Sequence, residues 1–91
     1  MRPAQRSGLV IRIVDGEAVV LDRPNDQVHR LNSTATCVWT HCDGSRSVAD
    51  VAAIVATTFE AAPARVLADT RTVVDQLAEL GLLVEGDGQA A

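Results

Sequence analysis

Four side chains in the sequence have the chemistry of nucleophilic catalysis or metal binding: His29, Cys37, His41 and Cys42. A nucleophilic cysteine needs a base within hydrogen-bonding distance. His41 and Cys42 are neighbours in a predicted helix, where successive side chains diverge by about 100°, so they do not form such a pair. Cys37 and His41 share one helical face, yet together with His29 they match no standard zinc spacing. The sequence therefore predicts no catalytic residue, no metal site and no cofactor.

The helix that would carry three of these side chains is the first of three. Asn32 or Ser33 can cap its first free N–H groups, and Asp43-Gly44 is a signal for its end. One face is apolar, with the spacing i, i+3, i+4, i+7 that is typical of a packed helix. The residues on that face are Ala35, Val38, Trp39 and Cys42.

Two further helices follow in the sequence. Ser47, with Asp50 three residues later, resembles a capping box and begins the second helix, which breaks at "EAAP" (60–63). The third helix is predicted from about residue 64 to residue 80, with Gly81 as its C-terminal signal. Their apolar stripes are Val48, Val51, Ala52, Val55 and Phe59 in the second helix and Val66, Thr70, Val73, Leu77 and Leu80 in the third.

Three extended segments precede the helices. "LVIRIV" (9–14) and "AVVLD" (18–22) are separated by Asp15-Gly16, which favours a tight turn. "RPND" (23–26) is rich in turn formers, and "QVHRL" (27–31) reads as a third strand. Strands first and helices afterwards predict an α+β fold, with a three-stranded antiparallel sheet covered on one face by three helices. One edge of the third strand is expected to be unpaired.

The core is expected to be thin. Ninety-one residues form one small domain, which buries only about 60–65% of its unfolded surface. Trp39 and Phe59 are the only aromatic residues, and both are predicted to lie inside, pinning the first two helices on the sheet. Residues 1–8 are predicted as a flexible N-terminus, residues 9–84 as the folded domain and residues 85–91 as a flexible tail.

Charge and composition restrict the partners. The net charge is −4, whereas a surface that follows phosphates needs a basic balance, so nucleic acid is not an expected partner. No apolar run approaches about 18 residues, which argues against a membrane partner, and "MRPAQRSG" lacks the apolar segment of a signal peptide. Cys37 and Cys42 lie about 140° apart on one helix and do not pair. Free thiols without a signal peptide favour a cytoplasmic protein.

Four polar residues on the third helix are spaced so that they could border a groove. Arg65, Asp69, Thr72 and Gln76 flank the apolar stripe of that helix. If the helix packs beside the third strand, these residues border a groove next to an open sheet edge. Exposed edges are usually protected unless they are used, so this is the predicted binding surface.

The segment "LNSTATCVWTHCDGSRSVADVAAIVATTF" (31–59) resembles the PqqD-like family, also called RiPP recognition elements. "VVDQLAELGLLV" (73–84) is similar to the closing helix of that family and its Gly-Leu-Leu ending, and the resemblance covers about residues 9–84. The matching pairs and triplets in the first segment are Leu31-Asn32, Thr34-Ala35, Val38-Trp39, Asp43-Gly44, Arg46-Ser47-Val48 and Asp50-Val51.

The resemblance implies a winged-helix-like fold and a non-catalytic function. Family members bind the leader segment of a ribosomally made precursor peptide, which adds as a strand to the third strand beside the third helix. The strand alternation leaves open which of Val28, His29 and Arg30 face the leader. The residues implied in peptide binding are Val28, His29, Arg30, Leu31, Val66, Asp69, Thr70, Val73 and Gln76.

The implied partners are the precursor's leader peptide and the enzyme that modifies it. That enzyme is either a leader peptidase, as in lasso-peptide pathways, or a radical SAM enzyme, and the sequence leaves the pathway open. Two other functions are compatible with the fold: a small winged-helix DNA-binding regulator and a structural subunit of an enzyme complex. The acidic balance argues against the regulator.

Overall fold

The computed structural model describes residues 2–86 and contains five strands and three helices. Four strands precede the three helices, and three of them form one antiparallel sheet, which confirms the α+β architecture. No single helix in the described range is long and apolar enough to cross a membrane. The elements are β1 (Pro3–Gln5), β2 (Val10–Val14), β3 (Glu17–Asp22), β4 (Gln27–Leu31), α1 (Ser33–Thr40), α2 (Val48–Phe59), α3 (Pro63–Glu79) and β5 (Leu83–Glu85).

The predicted meander is present as an antiparallel sheet in the order β2-β3-β4. Asp15 and Gly16 connect β2 to β3 with φ angles of 53° and 79°, as a type I′ turn requires. Ala18 pairs with Leu31 at one end of the β3–β4 ladder, and Asp22 pairs with Gln27 at the other. β4 is therefore an edge strand, as the sequence predicts.

Side-chain caps fix the beginnings of α1 and α2. The Asn32 Oδ1 accepts a hydrogen bond of 2.8 Å from the N–H of Ala35. Ser47 and Asp50 form the reciprocal capping box, in which each side chain accepts from the other residue's N–H. Caps of this kind stabilise a helix by about 1 kcal/mol each. The cap at Asn32 also fixes the residue at which α1 begins after β4, and so the position of α1 at the candidate site described below.

The core lies between β3 and the three helices. Trp39 is 3% exposed, and its indole Nε1 donates to the carbonyl of Leu82 over 3.0 Å. The prediction of Trp39 as a core anchor is therefore confirmed. The buried apolar side chains of the core are Ala18, Val20, Leu31, Val38, Trp39, Cys42, Val51, Ala52, Val55, Ala56, Val66, Val74, Leu77, Leu82 and Leu83.

Two core predictions are wrong. Phe59 is 42% exposed, because it is the last residue of α2 and extends beyond the surface that α2 packs against. Leu80 is 48% exposed, since it follows the end of α3. Val74 is buried, whereas the apolar stripe predicted from the sequence contained Val73 at this place. Val73 is half-buried and lies at the edge of the packed face.

The N-terminal segment, predicted from the sequence as flexible over residues 1–8, contains the strand β1. β1 pairs with β5 in a separate two-stranded sheet. The Gln5 N–H also donates to the carbonyl of Cys42 over 3.0 Å, and the Gly44 N–H donates to that of Pro3 over 3.0 Å. A strand of three residues is too short for alternation to predict it. Residues 87–91 of the predicted tail, like Met1, lie outside the described residues.

Candidate functional site

The outer edge of β4 is open in the part of the chain that the structure describes. β4 pairs only with β3 among the described strands, and its opposite edge carries main-chain groups without a strand partner. Such an edge is a template for a further strand. The predicted site residues Val28, His29, Arg30 and Leu31 are all on β4.

The β2–β3 turn shows which main-chain groups face which neighbour. In a two-residue turn the N–H of Glu17 donates to the carbonyl of Val14, and the two residues are paired. Main-chain groups alternate in direction along a strand. Glu17, Val19 and Leu21 therefore bond to β2, and the residues between them direct their main-chain groups toward β4.

A hydrogen-bonded bridge at Ala18 supports this assignment. The Ala18 N–H donates to Thr36 Oγ1 over 2.9 Å, and that hydroxyl donates to the carbonyl of Leu31 over 3.1 Å. His29, the partner of Val20 on β3, accordingly uses its main-chain groups within the sheet. Val28 and Arg30 direct their N–H and C=O groups outward, which resolves the alternation that the sequence leaves open.

A pocket of about 190 Å³ lies between the helices near the Leu31 end of β4. Thr34 lines it from the first turn of α1, three residues after β4 ends. Its volume is below the roughly 300 Å³ of a drug-sized ligand site, and it suits one large apolar side chain. The residues that line the pocket are Thr34, Val55, Phe59, Ala61, Val66, Asp69, Thr70 and Val73.

Half of the pocket comes from predicted site residues. Val66, Asp69, Thr70 and Val73 all line it, because the spacing i, i+3, i+4, i+7 places them on one face of α3. Val66 and Thr70 are buried and form the floor, whereas Asp69 is exposed and provides a carboxylate at the rim. Gln76 is exposed but does not line the pocket; it lies seven residues beyond Asp69 on α3.

The remaining lining residues come from α1, from α2 and from the α2–α3 connection. Glu60 adopts the left-handed conformation with φ 52°, which ends α2, and Pro63 begins α3 with a fixed φ suited to the first turn. This sharp turn places Phe59 over the mouth of the pocket. Phe59 was not predicted as a candidate site residue, because it continues the apolar stripe of α2.

The predicted β4 side chains have unequal access. Val28 is 64% exposed and Leu31 is only 5% exposed. Leu31 belongs to the core, and its carbonyl accepts from Thr36 within the fold, so it offers a peptide neither its side chain nor its main-chain groups. Arg30 is exposed and lies 3.7 Å from the carboxylate of Glu17. His29 is half-buried, and its Nε2 has no hydrogen-bond partner in the described structure.

The cysteines and histidines do not form a catalytic arrangement. Burial raises the pKa of the Cys42 thiol to about 11, so it is protonated at neutral pH and a poor nucleophile. Burial also raises the pKa of Cys37. The Cys37 Sγ lies 3.8 Å from Nδ1 of His41, but that nitrogen is 2.8 Å from the Cys37 carbonyl. Among residues 2–86, no three His, Cys, Asp or Glu side chains are grouped for metal binding.

Three solved structures share this fold. A lasso peptide synthetase B1 complexed with the leader peptide is 24% identical with a TM-score of 0.78, over 92% of this chain and 99% of that one. TbiB1 in complex with the TbiA(beta) leader peptide is 18% identical with a TM-score of 0.77, over 88% and 93%. At these identities the two likenesses show the fold.

The third structure is the solution NMR structure of the PqqD truncation of Methylobacterium extorquens PqqCD, described as a stand-alone RiPP recognition element. It is 26% identical with a TM-score of 0.72, over 90% of this chain and 87% of that one. No curated protein shows a significant sequence match. Residues 17–83 match the family "Coenzyme PQQ synthesis protein D (PqqD)". This match spans most of the chain, from β3 to β5, and the chain belongs to the PqqD family.

Proposed function

We propose that this protein binds the leader segment of a ribosomally made precursor peptide and presents it to a modifying enzyme. The observation that carries the proposal is the open edge of β4 together with the apolar pocket between α1, α2 and α3, which Thr34 lines three residues after β4 ends. The leader peptides bound by TbiB1 and by the lasso peptide synthetase B1 support it. The role is binding, in the cytoplasm, and the chemistry belongs to the enzyme.

Strand addition explains how such a site gives both affinity and register. Val28 and Arg30 would exchange main-chain hydrogen bonds with the peptide, at about 0.5–1.5 kcal/mol each. Successive peptide side chains point to opposite faces, so only alternate ones face the helices. One of these would enter the pocket, with Phe59 at its mouth and Asp69 at its rim. Gln76 would border the peptide further along α3.

The DNA-binding alternative has less support. α3 would be the recognition helix, but it carries Asp69, Asp75 and Glu79 against Arg65 and Arg71. Reading a DNA groove with an acidic helix is unfavourable, because the phosphates repel the carboxylates. The chain as a whole also has a net charge of −4.

Calorimetric titration tests the proposal. The probe is the synthetic leader of the precursor peptide encoded nearest to this chain's gene, with a scrambled version of the same leader as control. We expect nanomolar to micromolar binding of the leader alone, with NMR shifts confined to β4 and the pocket. A leader that binds no better than its scrambled version, or short duplex DNA bound at submicromolar protein and physiological salt, would exclude the proposal.

A further inference from the structure

The side of the sheet opposite the helices is apolar. Residues paired across strands point to the same side, so the register defines one face of eight residues, called the outer face below. None of the eight side chains is buried among the described residues. The outer face consists of Val10, Arg12 and Val14 on β2, Glu17, Val19 and Leu21 on β3, and Val28 and Arg30 on β4.

Five of these eight residues are apolar, and that is unusual for a solvated face. Antiparallel sheets with one face in water normally carry polar residues there. Here Val10, Val14 and Val28 are 39%, 60% and 64% exposed. Val10, Leu21 and Val28 form one apolar row across all three strands. An apolar row that crosses all three strands is a surface that a protein partner can cover.

The charges on the outer face indicate what kind of partner fits. Glu17 lies near Arg30, at 3.7 Å, whereas Arg12 has no ion pair among the described residues. The outer face thus carries a net positive charge on a chain whose net charge is −4. A second copy of this chain would bring its own cations against Arg12. A partner with a carboxylate within an apolar surface would pair with it.

The size and position of the outer face fit a transient partner that acts on the bound peptide. Three strands about 4.8 Å apart and five residues long present roughly 240 Å², far below the roughly 800 Å² per partner of a stable complex. The face ends at Val28 and Arg30, whose main-chain groups form the open edge of β4. A protein bound to the outer face would therefore lie beside a peptide strand added to that edge.

We propose that the outer face is the docking surface for the enzyme that modifies the bound peptide, through apolar side chains and a carboxylate opposite Arg12. The inference rests on the proposed function for the identity of that enzyme. The outer face consists of side chains, including those of Arg12 and Val14 on β2, whereas the peptide edge consists of main-chain groups of β4. Binding of the enzyme and binding of the peptide can therefore be separated by substitution.

The test measures two affinities for each variant of the full chain. The probes are the purified modifying enzyme encoded nearest to this chain's gene and the leader peptide described above. Val14→Thr keeps the β-branched shape and removes apolar surface from the outer face, and Arg12→Glu reverses its charge. Ile13→Thr is the matched control, because Ile13 is on the same strand, is 55% exposed and points to the other face.

We expect Val14→Thr combined with Arg12→Glu to weaken enzyme binding at least about tenfold. Ile13→Thr should bind the enzyme as the wild type does, and all variants should keep the wild-type affinity for the leader. Equal enzyme affinity for all variants would overturn the inference. So would a wild-type dimer, in sedimentation, that Val14→Thr dissociates. If the leader fails to bind but enzyme binding still depends on Val14 and Arg12, the docking surface stands and the proposed function fails.

Discussion

Trp39 and Phe59 show how two aromatic residues in one small domain take different roles. Trp39 fills the space between α1 and the chain after α3, and its indole is hydrogen-bonded to Leu82. Trp39→Ala is expected to cost about 3–5 kcal/mol, a large part of the total stability of a domain of this size. Urea denaturation measures this loss. A Trp39→Ala protein with the wild-type midpoint would contradict the core assignment.

Phe59 is expected to behave in the opposite way. Its side chain is 42% exposed at the mouth of the pocket, so Phe59→Ala removes little packing from the folded chain. We expect less than about 1 kcal/mol of destabilisation and a clear loss of leader affinity in calorimetric titration. Thr58→Ala, an exposed neighbour that does not line the pocket, serves as the control. A large shift in melting temperature with unchanged leader affinity would assign Phe59 to the core.

Asp22 should make stability depend on pH. Its carboxylate is 1% exposed and lies 2.6 Å from the Arg6 guanidinium. Hydrogen bonds from Arg6, and then from Asn25, hold the pKa of Asp22 below its ordinary value of 3.8. Because the folded state favours the ionised form, this stabilisation is complete above that ordinary value. It is lost as the pH falls through the lower folded pKa.

Asp22→Asn is therefore expected to lower stability at neutral pH and to make the acid-induced loss shallower. Urea midpoints measured from pH 7 to pH 2 give both quantities. Asp69→Asn is the control, because that carboxylate is exposed and forms no ion pair among the described residues. If Asp22→Asn loses stability below pH 4 as steeply as the wild type, the Arg6–Asp22 pair does not contribute.

At the scale of elements, β4 allows a paired test of strand addition. Arg30→Pro removes an N–H that faces outward, and His29→Pro removes one that bonds to β3. Proline is tolerated at an edge only where its N–H is not needed. We expect Arg30→Pro to fold and to bind the leader more weakly, by about 0.5–1.5 kcal/mol or more. His29→Pro should lower the melting temperature.

Circular dichroism melting and calorimetric titration of these two variants, with Val28→Pro as a second outward position, complete the test. Wild-type leader affinity for both Val28→Pro and Arg30→Pro would show that β4 is not the docking edge. A stable His29→Pro protein together with an unfolded Arg30→Pro protein would reverse the register deduced from the Asp15-Gly16 turn.

The elements with strong periodicity were predictable, and those fixed by tertiary contacts were not. β2, β3 and β4 follow from alternation and from Asp15-Gly16, and α1 and α2 begin at caps that the sequence names. The orientation of the β4 main chain required the hydrogen bonds at Ala18, because the turn at residues 23–26 gives no register. On α3 the apolar residues Val66, Val73, Val74 and Leu77 cover a wide stripe, and only packing decides that Val74 is buried.

The residues of the candidate pocket were predictable from the sequence only where a single element supplies them. Val66, Asp69, Thr70 and Val73 share a face by helical spacing alone, so they reach the pocket together. Phe59 and Thr34 come from other elements, and only the turn at Glu60 and the α1 cap bring them to α3. Sequence periodicity describes one element at a time, and a pocket between elements depends on how they cross.

At the scale of the whole molecule, β1 joins the ends of the described chain to the rest of the domain. The Gly86 N–H donates to the carbonyl of Arg2 over 2.8 Å, and the Arg6 N–H donates to that of Leu82 over 3.2 Å. Gln5 and Pro3 are hydrogen-bonded to the chain that follows α1. The segment thus connects β5, the end of α1 and, through Arg6, the β3–β4 turn. The sequence instead predicts residues 1–8 as a flexible terminus.

Deletion of residues 2–6, with the initiating methionine kept, tests whether the N-terminal segment stabilises the domain or is a flexible terminus. The truncation leaves several buried or half-buried main-chain groups without partners and breaks the Arg6–Asp22 pair. We expect it to cost about 2–4 kcal/mol in urea denaturation, from hydrogen bonds of about 0.5–1.5 kcal/mol each. Leader affinity should change little under conditions where the truncated protein is folded, because β4 and the pocket are formed by residues 27–73. A truncated protein with the wild-type urea midpoint would show that β1 does not stabilise the domain. That result would support the flexible N-terminus predicted from the sequence.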